Sequence, residues 1–114
     1  MIVRNATREG ILLGDKVLVA NTSQTRRTGL LKHESLPEGE GLWIAPCEGV
    51  HTWGMKFSID VLFLSKARKV LKIREDMGKR RIALCLWAHS TLELPAGTVA
   101  RTGTLKGDQL EFER

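Results

Sequence analysis

Ile59-Asp60-Val61-Leu62-Phe63-Leu64 is the stretch whose reading decides the fold. Its β-branched and aromatic side chains make it the strongest strand signal in the chain. Asp60 interrupts an otherwise apolar run. Working outward, Ser65–Arg68 reads as a turn, and Lys69–Glu75 mixes charged and apolar residues. Val70 would share a face with Lys72, and Leu71 with Ile73. That predicts a half-buried strand facing the core through Leu71 and Ile73. Upstream, Leu42–Ala45 is a short apolar strand that stops at Pro46. Downstream, Ile82–Trp87 and Thr91–Leu94 are further strands, the second closed by Pro95-Ala96-Gly97.

The outer segments read the same way. Ile11–Leu13 and Lys16–Ala20 are two short strands about a tight turn at Gly14-Asp15. Asn21, Thr22 or Ser23 caps a helix over Gln24–His33, with Gly29 weakening its middle. Leu36–Gly41 is a loop by its turn residues. Thr98–Thr102 is at most one helical turn ended by Gly103. Gly107-Asp108 is a turn before a last strand, Gln109–Glu113. Many short strands at near-regular spacing predict a mostly β, at most α+β, fold. The expected architecture is a compact sandwich or barrel-like single domain, residues 1–114, with one short helix.

At 114 residues the chain can bury a core without a disulfide or a metal. No apolar run approaches the ~18 residues of a transmembrane helix. Met1–Gly10 lacks the apolar stretch of a secretory signal, so a cytoplasmic location is expected. The two cysteines, Cys47 and Cys85, then read as reduced, partly buried thiols. The charge is uneven. Ser65–Arg81 carries eight Lys and Arg against two Asp and Glu, whereas the whole chain carries 18 against 13. Lys66, Arg68, Lys69, Lys72, Arg80 and Arg81 can therefore form a basic patch for nucleic acid or an acidic partner. No aromatic residue that would stack bases lies in the segment. A solvated hairpin whose charges blunt an edge strand is the preferred account.

Several stretches together resemble the domain of unknown function 192 family. They are Arg26-Arg27-Thr28-Gly29-Leu30-Leu31, Leu36, Gly39-Glu40-Gly41-Leu42, Pro46-Cys47 and the run from His51 to Leu64. Leu92-Glu93-Leu94-Pro95-Ala96-Gly97, Gly103 and Gly107-Asp108 complete the series in the family's order. The resemblance implies a compact β-sandwich-like domain and no established reaction. Where members often carry a Pro-Trp-Arg element after the charged strand, this chain has Met77-Gly78-Lys79-Arg80-Arg81.

Three constellations can carry chemistry. His51, Thr52, Lys56 and Asp60 bracket a Gly-Met bend, and Trp53 and Met55 would wall a shallow ligand pocket above them. A buried Asp60 needs a partner, with Lys56, His51 and Arg27 as candidates. Cys47 and His51, and Cys85 and His89, are each separated by three residues and would supply a zinc site. Residues four apart in an extended strand lie ~13 Å apart, so both pairs must bend to share an ion. Cys47, His51 and Asp60 also read as nucleophile, base and orienter. Glu93 lies between Leu92 and Leu94, and alternation turns it away from their face. An exposed strand carboxylate is the preferred reading.

Each constellation has a simpler structural account, so no cofactor is predicted. The expected function is a non-catalytic accessory module binding a small ligand or a protein, anchored at Trp53. One alternative is a small metal- or cysteine-dependent enzyme using Cys47, His51 and Asp60. The other is nucleic-acid binding through residues 65–81.

Overall fold

The computed structural model describes residues 1–114. In chain order the strands are β1 (Ile2–Asn5), β2 (Ile11–Gly14), β3 (Lys16–Ala20), β4 (Glu40–Ile44) and β5 (Gly49–His51). Then come β6 (Ile59–Leu64), β7 (Val70–Met77), β8 (Ile82–Leu84), β9 (Ser90–Pro95) and β10 (Leu110–Glu113). The α-helices are α1 (Ser23–Thr28) and α2 (Thr98–Thr102), and Ala6–Arg8 forms a single 3-10 turn. A second short helix appears where the sequence reading counts one, because the segment between Gly97 and Gly103 closes into a full turn.

The central sheet has the order β3-β4-β9-β6-β7. A three-stranded sheet, β10-β1-β2, and a two-stranded ribbon, β5-β8, complete the β structure. These elements pack in layers around the central sheet and do not close into a barrel. β6 and β9 lie in its interior, and each is bonded to a strand on both sides. All six residues of β6 are buried. Its two faces belong to two separate cores. Ile59, Val61 and Phe63 pack with Leu30, Leu42, Ile44 and Met55. Leu62 and Leu64 pack with Leu92, Leu94, Val3, Leu13 and Val99.

Two pairings differ from the sequence reading. Ile11–Leu13 and Lys16–Ala20 are strands, but they do not pair with each other. β2 pairs with β1, whereas β3 pairs in parallel with β4. The chain passes from one layer to another at Asp15. A parallel pair needs a crossover, and α1 lies in that connection. Leu71 and Ile73 also part company. A register shift opposite Phe63 and Leu64 adds a residue to β7. Leu71 then packs in the first core and Ile73 in the second. A bulge of this kind reverses the facing of every residue beyond it.

Three residues hold the layers in register. A second irregularity in β7 lies opposite Asp60. The Asp76 amide there donates to Asp60 Oδ1 at 2.8 Å, and the Val99 amide of α2 donates to Oδ2 at 2.9 Å. Asp60 is thus the pin between the bulged edge strand and α2. Thr52 does similar work on the other side. Its hydroxyl donates to the Gly78 carbonyl at 2.6 Å and accepts from the Arg81 amide at 2.8 Å. That bond fixes the Met77–Arg81 loop against the ribbon. Gly41 completes the set, since a Cβ there would lie 2.9 Å from the Glu93 carbonyl oxygen. Its absence lets β4 and β9 approach.

Asp60→Ala leaves the buried Val99 amide and the part-buried Asp76 amide unpaired. At ~1–3 kcal/mol per buried orphan, the variant is expected to lose on the order of 3 kcal/mol. Denaturant unfolding of the two proteins checks this, and a loss below ~1 kcal/mol would remove Asp60 from its structural role.

Candidate functional site

The largest concavity is a cleft of about 670 Å³ between α1 and the chain from Pro46 to His51. Its walls come from local sequence logic. Thr22 caps α1 in a reciprocal bond pattern with Thr25, so the helix starts at a fixed point. Arg26 and Arg27 then fall in its last turn. Arg26 crosses the cleft edge, its Nη1 donating to the Pro46 carbonyl at 3.3 Å and its Nε to the Thr22 carbonyl at 3.3 Å. Arg27 is exposed and has no carboxylate within ion-pair distance. Opposite them, β4 ends, the Ala45–Pro46 peptide is cis, and the chain returns as β5. Ile44, Met55 and Val50 supply the apolar surface.

Glu93 lies in this cleft. The exposed reading of Glu93 fails, because its strand runs through the middle of a sheet covered on both faces. Turning away from Leu92 and Leu94 takes the side chain into the other core, between Leu42 and Val61 of the flanking strands. The residue is 5% exposed. Burial pushes its carboxyl up to about 7, with no hydrogen-bond donor or cation offsetting the effect. Asp108 is the contrast. It is 4% exposed and burial alone would raise it too. Donors from Arg8, Asn5 and the Leu105 amide outweigh that and hold its carboxyl below the usual range.

The sequence-selected residues are divided by the fold. His51, Met55 and Cys47 line the cleft. His51 meets Trp53 edge-on, with ring centroids 6.0 Å apart, and Trp53 is 46% exposed. Lys56 stands outside and pairs with Glu34. Thr52 is buried under the ribbon, as described. Asp60 lies on the opposite face of β6 from Met55, with both oxygens engaged by amides, so it cannot orient His51. A Cys47–His51–Asp60 relay is therefore not assembled.

The Cys and His side chains are not gathered as a ligand set, although the Cys47 amide donates to the His89 carbonyl at 3.1 Å. Cys47 Sγ donates to the Gly49 carbonyl at 3.1 Å. Cys85 packs against the same core layer as Cys47, and both thiols are free. His89 stacks on Trp43, which belongs to the other core layer, at 6.3 Å. No three His, Cys, Asp or Glu side chains group to hold an ion.

The basic segment is dispersed as well. Arg68 lies over the Trp43 and Phe112 rings at 4.6 and 4.8 Å. Lys72 Nζ donates to the Leu84 carbonyl at 2.7 Å. Lys66 and Lys69 sit at one end of β7 and Arg80 and Arg81 beyond the other, at least roughly 23 Å apart along an extended strand. Beside this segment the ribbon and the loop after it leave Ile82, Leu84, Leu86 and Trp87 exposed.

The residues that sequence reading undervalued are Glu93 and the Arg26-Arg27 pair. A carboxylate inside an apolar Leu-Glu-Leu strand is the one available signal for Glu93.

A carboxyl raised to about 7 from 4.5 gives a definite sign. The protein holds Glu93 neutral most comfortably, so its contribution to stability is full below pH ~4.5 and is lost as pH rises through about 7. Glu93→Gln removes that titration. The variant is expected to gain on wild type between pH 5 and 8, by a margin reaching on the order of 3 kcal/mol. Unfolding measured across that range checks it, and parallel curves for the two proteins would contradict it.

Two solved structures share the fold. A protein described as a putative transcription regulator from Sinorhizobium meliloti aligns with a TM-score of 0.85 and 26% identity, over 96% of this chain and 91% of that one. A protein of unknown function from Novosphingobium aromaticivorans aligns with a TM-score of 0.77 and 22% identity, over 84% of this chain and 74% of the other. No curated protein is a significant match. A family model for uncharacterized proteins matches residues 4–112, nearly the whole chain. The chain belongs to the domain of unknown function 192 family.

Proposed function

We propose that this protein is a non-catalytic accessory module that binds a small anionic ligand in the cleft between α1 and β5. One observation carries the reading: a cleft of about 670 Å³ has Arg26 and Arg27 on its wall, and neither forms an ion pair with a carboxylate. Small-ligand sites commonly have volumes of ~300–1,000 Å³, with apolar walls and a few convergent polar groups. Guanidinium groups suit carboxylate and phosphate because two N–H donors meet two oxygens at once. His51 lines the cleft, and Trp53 stands edge-on beside it. We assign the module to the cytoplasm, and its two unpaired thiols support that assignment.

The test is calorimetric titration with citrate and with inorganic phosphate. Wild type is expected to bind at least one of them. Arg27→Ala is expected to bind at least ~10-fold more weakly, as loss of a charge-assisted bond implies. Its unliganded stability should change by no more than ~0.5 kcal/mol, as for other surface substitutions. Saturating anion with no heat, or full binding by Arg27→Ala, would overturn the reading.

A second reading has one specific support: the Sinorhizobium meliloti relative is described as a putative transcription regulator. For this chain the dispersed cations argue against a phosphate-tracking face. DNA association is therefore expected to be weak and to vanish between about 50 and 200 mM salt. Tight binding that survives that range would displace the cleft as the functional site.

A further inference from the structure

Three acidic side chains in this protein are buried: Asp60, Glu93 and Asp108. Two are fully employed. Asp60 accepts from two backbone amides. Asp108 accepts from Arg8, Asn5 and the Leu105 amide. Glu93 is the exception, since no donor or cation of the protein offsets its burial. It is also the one of the three that lines the cleft. A buried carboxyl without a partner costs stability, typically ~1–3 kcal/mol or more. In a cleft, an incoming molecule can supply what the protein withholds.

We infer that the ligand is a polyhydroxylated anion, a sugar acid or sugar phosphate, with its acidic group on Arg26 and Arg27 and a hydroxyl on Glu93. The inference rests on the reading of the cleft as an anion site. It adds what the far end of the ligand must be.

Two geometric arguments select a hydroxyl. The first is separation. Arg26, Arg27 and Glu93 line one cleft, and neither arginine lies within ion-pair distance of the carboxyl, so they are two stations in it. A ligand that uses both must carry different chemistry at its two ends. The second is burial. Glu93 is 5% exposed and sits between apolar strands, where a second buried charge is costly. A hydroxyl is neutral, and it both donates to and accepts from a carboxyl. The walls leave space for a six-carbon chain, given a cleft of about 670 Å³.

The experiment is an NMR titration of the full chain at pH 7 with gluconate, glucose 6-phosphate, hexanoate and 6-aminohexanoate. Gluconate or glucose 6-phosphate is expected to bind at least ~10-fold tighter than hexanoate, because hexanoate leaves Glu93 unpaired. Which of the two binds tighter identifies the acidic group as carboxylate or phosphate. Glu93→Gln, whose amide still donates and accepts, should keep the preference. Glu93→Leu should reduce it to less than ~3-fold. Arg27→Ala should weaken every anion that binds. If hexanoate binds as tightly as the hydroxylated anions, this inference falls and the anion site stands. If 6-aminohexanoate binds tightest, the far end is an ammonium and the inference falls. If none of the four binds while citrate or phosphate does, this inference falls and the anion site stands.

Discussion

β6 and β9 run through the middle of a sheet that is covered on both faces. Apart from Pro95, every residue of both strands is buried, whichever way it points. Apolar residues meet this condition without cost, and β6 is apolar at every position but one. A carboxylate meets it only by finding donors inside the protein. Asp60 finds two, because the bulge in β7 frees one amide beside it and α2 brings another. Glu93, one strand away and on the opposite face, finds none. The same constraint makes one acidic residue a structural pin and leaves the other available to a ligand.

The cleft over Glu93 follows from the crossover between β3 and β4. Because these strands are parallel, the chain between them must travel back along the sheet, and it does so through α1. That path sets Arg26 and Arg27 above the face that carries Glu93. The chain after β4 cannot continue the sheet past Pro46, which lacks an amide hydrogen. It turns out to form β5, which pairs with β8 instead. The opposite wall of the cleft is therefore built by the ribbon, and Thr52 ties that ribbon to the loop after β7. Loops carried on a packed sheet are a common setting for binding residues.

The family places this cleft in a wider frame. The Sinorhizobium meliloti structure aligns over 96% of the chain, so the layered sheets are shared rather than peculiar to this protein. The Arg26-Arg27 element, the Pro46-Cys47 turn and Leu92-Glu93-Leu94 are among the stretches that carry the family resemblance. In the folded chain they meet at one cleft, although the sequence spreads them over 69 positions, from residue 26 to residue 94.

Much of the fold is legible in the residues alone. Apolar β-branched runs, turn glycines and prolines mark eight of the ten strands, since those signals are local, whereas β1 and β5 are too short and mixed to show. Thr22, one of three candidate caps, starts α1, but the helix stops at Thr28 rather than running on to His33, because Gly29 takes a positive φ of 48° and ends it. The partners of the strands are not local, and there the sequence falls short. Nothing in Gly14-Asp15 says that the strands on either side join different sheets. Nothing in Lys69–Glu75 says that a bulge will part Leu71 from Ile73. Glu93 shows the limit most clearly. Alternation correctly turns it away from Leu92 and Leu94. Only the tertiary structure decides that a second core, and not water, lies on that side. Asp60 is the reverse case: its need for a partner is evident from its apolar neighbours, and the partners are backbone amides that only folding brings near. The sequence determined which segments extend, where they turn and which polar groups would be costly to bury. The tertiary structure decided which of those groups are satisfied, because donors arrive from residues far along the chain.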